Sequence, residues 1–157
     1  MGKKEFFMRV VIQRVSKSEV TVSNSIVGSI KSGLLIFVSF INNDSSDDLI
    51  WMTNKILKLR IFNDENNKMN KSILDISGEI MIISQFTLHS STKKGSRPSF
   101  IKSANHQIAN ELYLNFINLI ESKFGKKVQT GEFGSYMKVD LSNDGPTTII
   151  MDSKLKE

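Results

Sequence analysis

Cysteine is absent from the sequence, and histidine occurs only twice. The first absence excludes disulfides, cysteine-ligated zinc, iron–sulfur clusters and thiol catalysis. His89 and His106 belong to no spacing that is typical of metal ligands, and the carboxylates form no such pattern either. We therefore expect neither a metal nor a cofactor.

Long apolar runs are missing as well. The longest, Leu34–Val38, has the length of a strand, whereas a transmembrane helix needs about 18 or more apolar residues. Lys3 and Lys4 precede a short apolar segment, but Arg9 and Arg14 interrupt it too early for a signal peptide. The sequence therefore favours a cytoplasmic protein without a membrane partner.

Proline is scarce too, since only Pro98 and Pro146 occur, both in polar segments. What is present is the composition of an ordinary globular domain, with 157 residues, 39% hydrophobic and 24% charged. Lysine and arginine number 21 against 16 acidic residues. The resulting net charge of +5 favours an anionic partner.

Strands outnumber helices in the hydrophobic pattern. Segments that are β-branched or alternate in polarity predict a β-meander at the start and further strands later. The predicted strands are Arg9–Val15, Val20–Val22, Ile26–Ile30, Leu34–Val38, Glu79–Ser84, Tyr136–Leu141 and Thr147–Met151. Asn143–Pro146 has the composition of a turn between the last two.

Two helices are predicted from apolar spacing. Ser45 and Asp48 have the form of a capping box, and the apolar stripe after them runs to about Arg60. The second stripe begins at Ile101 and ends at a basic last turn followed by Gly125. The predicted fold class is therefore α+β, with antiparallel, barrel-like β-sheets packed with two main helices in a single domain.

Ser84–Leu88 is the first segment whose composition suggests a site. An apolar strand runs here directly into the polar side chains of Ser84, Gln85 and Thr87. The simpler interpretation is a strand end whose hydroxyls satisfy local backbone groups. A strand that leaves its sheet also frees consecutive backbone N–H groups, which an oxyanion hole requires. A Ser-His-Asp triad built on Ser84 or Ser90 lacks the pattern of a nucleophile elbow.

Asn143–Thr148, which reads Asn-Asp-Gly-Pro-Thr-Thr, is the second such segment. On its own it is ordinary turn chemistry. Together with Met8–Val15 and Ser84–Leu88, however, it resembles the D-aminoacyl-tRNA deacylases, also called D-tyrosyl-tRNA deacylases. Both polar motifs occur in the order that this family has.

The resemblance covers nearly the whole chain, from Met8 to about Asp152. Residues 8–157 are therefore interpreted as the family's domain, and residues 1–7 as an N-terminal extension. One departure is Thr147, where the family more often has an apolar residue such as valine. A hydroxyl in place of a methyl group could tune the pocket.

The resemblance implies an enzyme that hydrolyses the ester between a D-amino acid and the terminal adenosine of tRNA, a chiral proofreading step in translation. It implies a homodimer with active sites at the subunit interface and the tRNA 3′ end as partner. In such a dimer the Gly145–Pro146 pair is cis and reaches into the partner subunit's pocket, where its carbonyls exclude L-amino acids. Arg14 corresponds to an arginine that braces this pair, although it could simply leave at its strand end, and Asn143 and Met137 are further supporting residues.

The residues that correspond to the family's catalytic strand end are Ser84, Gln85, Phe86 and Thr87. The resemblance implies that this strand end holds the terminal adenosine and the ester. Two chemical routes stay open, namely attack by a water molecule that the RNA 2′-hydroxyl assists and attack by Thr87 itself.

Lys93, Lys94 and Arg97 lie in a polar loop directly after this segment. A basic run is most often a solvated surface, but beside a site for the tRNA end these side chains are candidates for phosphate contacts.

Two other classes of function stay open, a non-catalytic RNA-binding module and a dimerisation domain. Single-strand RNA-binding folds usually expose aromatic side chains, whereas Phe37 and Phe40 lie in an apolar block and are expected to be buried. A dimerisation domain leaves two polar motifs at the ends of apolar strands unexplained.

Overall fold

The computed structural model describes residues 7–155. Residues 1–6, most of the predicted N-terminal extension, lie outside the described residues. The elements in chain order are β1 (Arg9–Val22), β2 (Ser25–Ile30), β3 (Gly33–Ser39), α1 (Ser46–Lys58), β4 (Phe62–Asn63), β5 (Met69–Lys71), β6 (Glu79–Ser84), a 3-10 turn (Phe86–His89), α2 (His106–Phe124), β7 (Gln129–Thr130) and β8 (Lys138–Asp152). Within 7–155, none of the helices is long and apolar enough to span a membrane.

Strand β1 organises the main sheet because it pairs with three other strands. Arg9–Val15 lies between β3 and β8, and Ser18–Thr21 lies between β2 and β8, with antiparallel pairing throughout. Beyond β3 the sheet continues through β6 to β7, and β2 comes back into contact with both of these strands. The sheet is therefore nearly closed like a barrel, which confirms the predicted α+β class with two main helices.

The sheet is mixed, which corrects the prediction of purely antiparallel sheets. Strands β3 and β6 run parallel, and so do β6 and β7. Parallel neighbours need a long crossover. The two helices lie within these crossovers, because α1 separates β3 from β6 in the chain and α2 separates β6 from β7.

The last two predicted strands form one strand, β8, with an outward loop in the middle. Val15 pairs with Asn143 and Gln13 with Thr148, so β8 advances five residues while β1 advances two. Asp144–Thr147 therefore leaves the ladder, and we call this segment the bulge. The predicted chain reversal is wrong, because both halves of β8 run in the same direction along β1.

Two apolar layers flank the sheet. Leu34, Ile36 and Val38 point from β3 into the layer that α1 and α2 cover, whereas Leu35 belongs to the opposite layer inside the barrel. Burial on both faces explains why this strand carries no alternation of polarity.

Both helices begin at a capped end. Ser45 and Asp48 form the predicted capping box at the start of α1. The second helix begins later than predicted, because the Asn105 side chain caps it by accepting the N–H of Ile108. Ile101 lies before this helix and is 89% exposed, so it is not part of the apolar stripe.

Candidate active site

Strand β6 brings the first predicted site segment to the edge of the sheet. Ile80–Ile83 is buried between the two apolar layers. The backbone N–H of Gln85 still donates to the carbonyl of Val38 (2.8 Å), and the chain then leaves the sheet as the 3-10 turn Phe86–His89. The four residues predicted to be catalytic therefore stand together at one strand end.

Other parts of the protein hold the carbonyls of the 3-10 turn. The Ser103 hydroxyl donates to the carbonyl of Phe86 (2.8 Å), and Arg9 Nη1 donates to the carbonyl of Leu88 (2.9 Å). In a 3-10 helix each N–H bonds to the carbonyl three residues earlier, so the N–H groups at its start have no partner within the helix. The turn is fixed in place and begins with backbone donors that it does not itself use.

The Thr87 side chain has an amide as its neighbour. Gln85 Nε2 donates a hydrogen bond to Thr87 Oγ1, and Thr87 is half-buried. A carboxamide does not accept a proton at neutral pH, so this contact orients the hydroxyl without activating it. The nearest imidazole in sequence, His89, is engaged elsewhere.

His89 is buried behind the turn. Its Nε2 lies 2.6 Å from the carbonyl of Phe7, and its Nδ1 lies 2.6 Å from the Ser39 hydroxyl. Burial lowers the pKa of His89, so the ring is neutral at pH 7, with Nε2 donating and Nδ1 accepting. Both nitrogens are used, which agrees with the absence of a triad pattern. Within residues 7–155, no three histidine, aspartate or glutamate side chains are grouped so as to hold a metal ion.

A cleft of about 560 Å³ opens beside the strand end. Phe86 is 55% exposed, and its ring meets Phe100 edge to face with centroids 5.1 Å apart. On the other side His106 and Phe133 make a similar contact at 5.0 Å. Several aromatic side chains therefore line a cleft that is open to solvent, which suits a planar ring system.

Most of this aromatic wall was not predicted. Phe100, Phe133 and Tyr136 lie in loops and line the cleft, and isolated aromatic residues in irregular segments carry no local signal. His106 is exposed at the start of the second helix and also lines the cleft. Met137, predicted as a supporting residue, lies in the lining as well.

Arg14 is buried and reaches the second motif. Only 6% of the residue is exposed. Its Nε donates to the carbonyl of Asp144 (2.9 Å) and its Nη1 to the carbonyl of Ile61 (2.6 Å). The side chain therefore does not simply leave at the strand end, because both hydrogen bonds fix it between the start of the bulge and the segment after α1.

The bulge is closed by hydrogen bonds of its own. Asn143 Oδ1 accepts the N–H of Thr147 (2.7 Å) across it. The Gly145–Pro146 peptide bond is cis, and Gly145 has a φ of +134°. A Cβ atom on Gly145 would lie 2.5 Å from Thr147 Oγ1 and 2.9 Å from Arg14 Nη2. Both the backbone angle and the space therefore require glycine here.

The two motifs do not meet within one chain. Arg14, which holds the bulge, pairs with Leu34, whereas Ser84 pairs with Val38 on the same strand. Leu34 and Val38 are four residues apart on β3. At about 3.3 Å per residue, the bulge and the strand end at Ser84 therefore lie about 13 Å apart along the strand direction. No residue of the bulge lines the aromatic cleft.

The predicted basic loop is an exposed excursion beside the cleft. Ser91 and Ser99 close it with two backbone hydrogen bonds of 2.8 and 2.9 Å. Lys93, Lys94 and Arg97 lie between them and are exposed. The loop leads directly from the 3-10 turn to Phe100 in the cleft wall.

Known proteins match the chain over nearly its full length. A family model described as D-Tyr-tRNA(Tyr) deacylase matches residues 11–152. A D-aminoacyl-tRNA deacylase of Flavobacterium johnsoniae is 54% identical over 150 residues, which cover 96% of this chain and 100% of that protein. A D-aminoacyl-tRNA deacylase of Thermosipho melanesiensis is 50% identical over 147 residues, covering 94% of this chain and 98% of that protein.

Two solved structures share the fold. One, described as c-Myc DNA unwinding element binding protein, has a TM-score of 0.87 and 34% identity, covering 92% of this chain and 97% of that chain. The other, described as a probable eukaryotic D-amino acid tRNA deacylase, has a TM-score of 0.81 and 19% identity, covering 92% and 98%. At this identity the second likeness concerns the fold alone.

Proposed function

Because the chain belongs to the D-Tyr-tRNA(Tyr) deacylase family, we propose that it hydrolyses the ester bond of D-aminoacyl-tRNA, releasing free tRNA and a D-amino acid. The observation that carries this function is the strand end Ser84–Thr87, whose first three residues line an aromatic cleft. This activity is a chiral proofreading step in translation, and we place it in the cytoplasm, where charged tRNA is used.

The aromatic cleft takes the terminal adenosine of the tRNA. Its volume of about 560 Å³ is in the usual range for small-molecule sites. Single-stranded nucleic acid ends are commonly held by stacking bases on aromatic side chains. Phe86, Phe100 and Phe133 offer such surfaces, and they place the ribose and its ester toward Ser84–Thr87.

Hydrolysis at this strand end proceeds through a tetrahedral intermediate. A water oxygen attacks the ester carbonyl carbon and gives up a proton, the carbon–oxygen bond to the ribose breaks, and the ribose oxygen takes up that proton. The N–H groups at the start of the 3-10 turn stabilise the oxyanion. The 2′-hydroxyl of the RNA assists the water molecule, because a threonine nucleophile needs a base beside it, and the side-chain partner that the described residues give the Thr87 hydroxyl is the Gln85 amide, which is not a base.

The active site is completed by a second copy of the chain. Within one chain the bulge lies about 13 Å along the sheet from the level of Ser84, as argued from the strand pairing. In the described part of the chain, β8 pairs with β1 only, so its outer edge is open along 15 residues. Ile150 on this strand is 66% exposed. An open, partly apolar edge strand is normally covered, and a two-fold dimer covers two such edges at once.

In this dimer the bulge of one subunit faces the cleft of the other. The carbonyls of Gly145 and Pro146 then form a rigid wall beside the Cα atom of the aminoacyl group. Rejecting L-esters, which are abundant, requires a repulsive element, and a braced backbone moves less than a side chain. Arg14 and Asn143 hold the bulge in position, which gives both residues a supporting role in selectivity.

Lys93, Lys94 and Arg97 contact phosphates next to the 3′ end. They are exposed on a loop whose two ends adjoin the cleft. Lysine and arginine side chains that contact phosphates increase the affinity for the nucleic acid and do not distinguish between base sequences.

One assay tests the proposed function. The protein is incubated with D-Tyr-tRNA and with L-Tyr-tRNA, and loss of the ester is followed with and without EDTA. We expect rapid hydrolysis of the D-ester, little hydrolysis of the L-ester and no effect of EDTA. Equal rates on both esters would contradict the selectivity, and no hydrolysis of either would contradict the activity.

A further inference from the structure

A second concave surface lies at the carboxyl end of α1. It is a groove of about 360 Å³, and its lining residues are Trp51, Asn54, Lys55, Lys58, Leu59 and Arg60. We call it the α1 groove. Three of these residues are basic and none is acidic, so the groove is strongly positive.

The cations of the α1 groove have no carboxylate at ion-pair distance among residues 7–155, although Arg60 is near enough to Asp75 to add to the Ser72 hydrogen bonds that lower the pKa of Asp75. Lys55, Lys58 and Arg60 are exposed, and none of the ion pairs among residues 7–155 includes them. Arg60 is held in place, because its Nε donates to the carbonyl of Asn70 (2.8 Å). Lys123 adds a further cation at the rim, where its Nζ donates to Asn54 Oδ1 (2.7 Å).

The α1 groove adjoins the bulge. Arg60 at its end is followed by Ile61, whose carbonyl accepts a hydrogen bond from Arg14 Nη1 (2.6 Å). The same guanidinium donates through Nε to the carbonyl of Asp144 (2.9 Å). One side chain therefore ties the end of the groove to the segment that, in the proposed dimer, faces the partner's cleft.

We propose that the α1 groove binds the phosphodiester backbone of the tRNA whose 3′ end occupies the partner's cleft. This inference rests on the proposed function and names a contact for the body of its substrate. Charge complementarity selects the occupant, because several exposed cations close together, with no carboxylate at ion-pair distance in residues 7–155, match a chain of phosphates.

An alternative role for the two lysines of the groove is to stabilise α1 itself. Lys55 and Lys58 lie in the last turn of α1, where cations offset the helix dipole. That role predicts an effect on stability and none on RNA binding. The two roles therefore differ in what a charge-removing variant changes.

The test compares Lys55→Ala/Lys58→Ala with the matched pair Lys31→Ala/Lys126→Ala, which removes the same charge at exposed positions outside the groove. Binding of uncharged tRNA is measured against salt concentration. For the groove variant we expect the log–log salt slope to flatten by about two units, because each phosphate that a lysine no longer neutralises reduces the slope by about one. The KM for D-Tyr-tRNA rises, whereas kcat and the kinetics on a D-tyrosyl ester of adenosine, which has no tRNA body, stay as in the wild type.

The outcomes separate the two proposals. A salt slope that the groove variant leaves unchanged, or that the matched pair flattens as much, overturns the inference. Loss of turnover on the adenosine ester by the groove variant also overturns it, because the effect would then not concern the tRNA body. If the wild-type protein hydrolyses neither ester, the proposed function is overturned. The inference about the groove is then decided by tRNA binding alone, through the comparison of the groove variant with the matched pair.

Discussion

Thr87 is the residue at which the two chemical routes diverge. If the N–H groups of the turn and the RNA 2′-hydroxyl carry the reaction, Thr87→Ala keeps its rate within about tenfold of the wild type, whereas loss of a side-chain nucleophile typically costs about 10⁴-fold or more. Single-turnover hydrolysis of D-Tyr-tRNA measures this directly. Thr87→Ser is the control, because it keeps the hydroxyl that Gln85 contacts. An inactive alanine variant beside an active serine variant would establish Thr87 as the nucleophile.

Thr147 carries a hydroxyl that the fold does not use. The residue is 6% exposed, and its Oγ1 has no hydrogen-bond partner among the described residues. A buried, unpaired hydroxyl costs stability, so Thr147→Val, which keeps the shape, is expected to raise the free energy of unfolding by about 1 kcal/mol. Urea denaturation measures this. Thr148→Val is the control, since Thr148 Oγ1 accepts from Asn143 and its loss gives no gain. A destabilised Thr147→Val variant would refute the interpretation.

At the level of residues, the sequence predicted polar groups but not their surroundings. Ser84–Thr87 could be found because it interrupts an apolar strand, and Gly145–Pro146 because the pair stands in a family motif. The sequence left open whether Arg14 braces the Gly-Pro pair or leaves at its strand end, because its acceptors, the carbonyls of Ile61 and Asp144, depend on tertiary structure. Every residue has a backbone carbonyl, so the sequence does not indicate which carbonyls accept a hydrogen bond from a distant side chain.

At the level of elements, the start of α1 links stability to pH. Asp48 Oδ2 accepts from the backbone N–H of Ser45 (2.9 Å), and its Oδ1 accepts from the hydroxyl of Ser153 (2.7 Å). Burial raises the pKa of Asp48, but these hydrogen bonds outweigh it, and the pKa lies below its ordinary value of 3.8. The stabilisation is therefore complete above the unfolded-state pKa and is lost as the pH falls through the lower, folded-state value.

Asp48→Asn accordingly destabilises the fold at pH 7 by about 2 kcal/mol, the range for hydrogen bonds to a charged group. The difference from the wild type shrinks as the pH falls below about 4, where the wild-type carboxylate is protonated. Urea midpoints at pH 7 and pH 3 measure both statements. Asp47→Asn is the matched control, because Asp47 is exposed and lies in the same first turn. A constant difference at both pH values would mean that charge is not involved.

The basic loop is an element whose role can be tested separately from the cleft. Replacing Lys93, Lys94 and Arg97 together by alanine is expected to flatten the salt slope of tRNA binding by about two units, at about 0.7 per contact to a single strand. The preference for D-Tyr-tRNA over L-Tyr-tRNA is expected to persist, since the three side chains are exposed and do not belong to the lining of the cleft. A slope equal to that of the wild type would assign the loop to the solvated surface.

The elements also show where prediction from sequence stops. Strand β6 and helix α1 matched their predicted positions, because an apolar run and a capping box are local signals. The parallel pairing of β3 with β6 and the single strand β8 were missed, because strand direction is set by the crossover connections and not by the strands. A Gly-Pro pair between two apolar segments has the same composition in a hairpin turn and in a bulge.

At the level of the whole molecule, the separation of the two motifs within one chain is the reason for the proposed dimeric site. The cleft is formed by one end of the sheet, and the bulge is fixed by Arg14 nearer the other end. A two-fold dimer that brings each bulge to the opposite cleft has two composite sites, each built from both chains. This arrangement predicts how mixtures of damaged subunits behave.

Two variants make that behaviour measurable. In Gly145→Val the new side chain meets Thr147 and Arg14, so the bulge is distorted and the D/L preference falls, while the cleft is intact. In Ala109→Trp the cleft is filled and the bulge is intact. The first variant alone is expected to hydrolyse both esters, and the second alone neither.

Mixing the two variants then tests the shared site. When Gly145→Val chains exchange subunits with a roughly tenfold excess of Ala109→Trp chains, almost every open cleft is paired with an intact bulge, so hydrolysis of L-Tyr-tRNA falls about tenfold while that of D-Tyr-tRNA persists. An excess of the double variant Gly145→Val/Ala109→Trp is the control and should not restore selectivity. If each chain served its own cleft, the added subunits would supply no intact bulge to an open cleft, and L-Tyr-tRNA hydrolysis would stay unchanged.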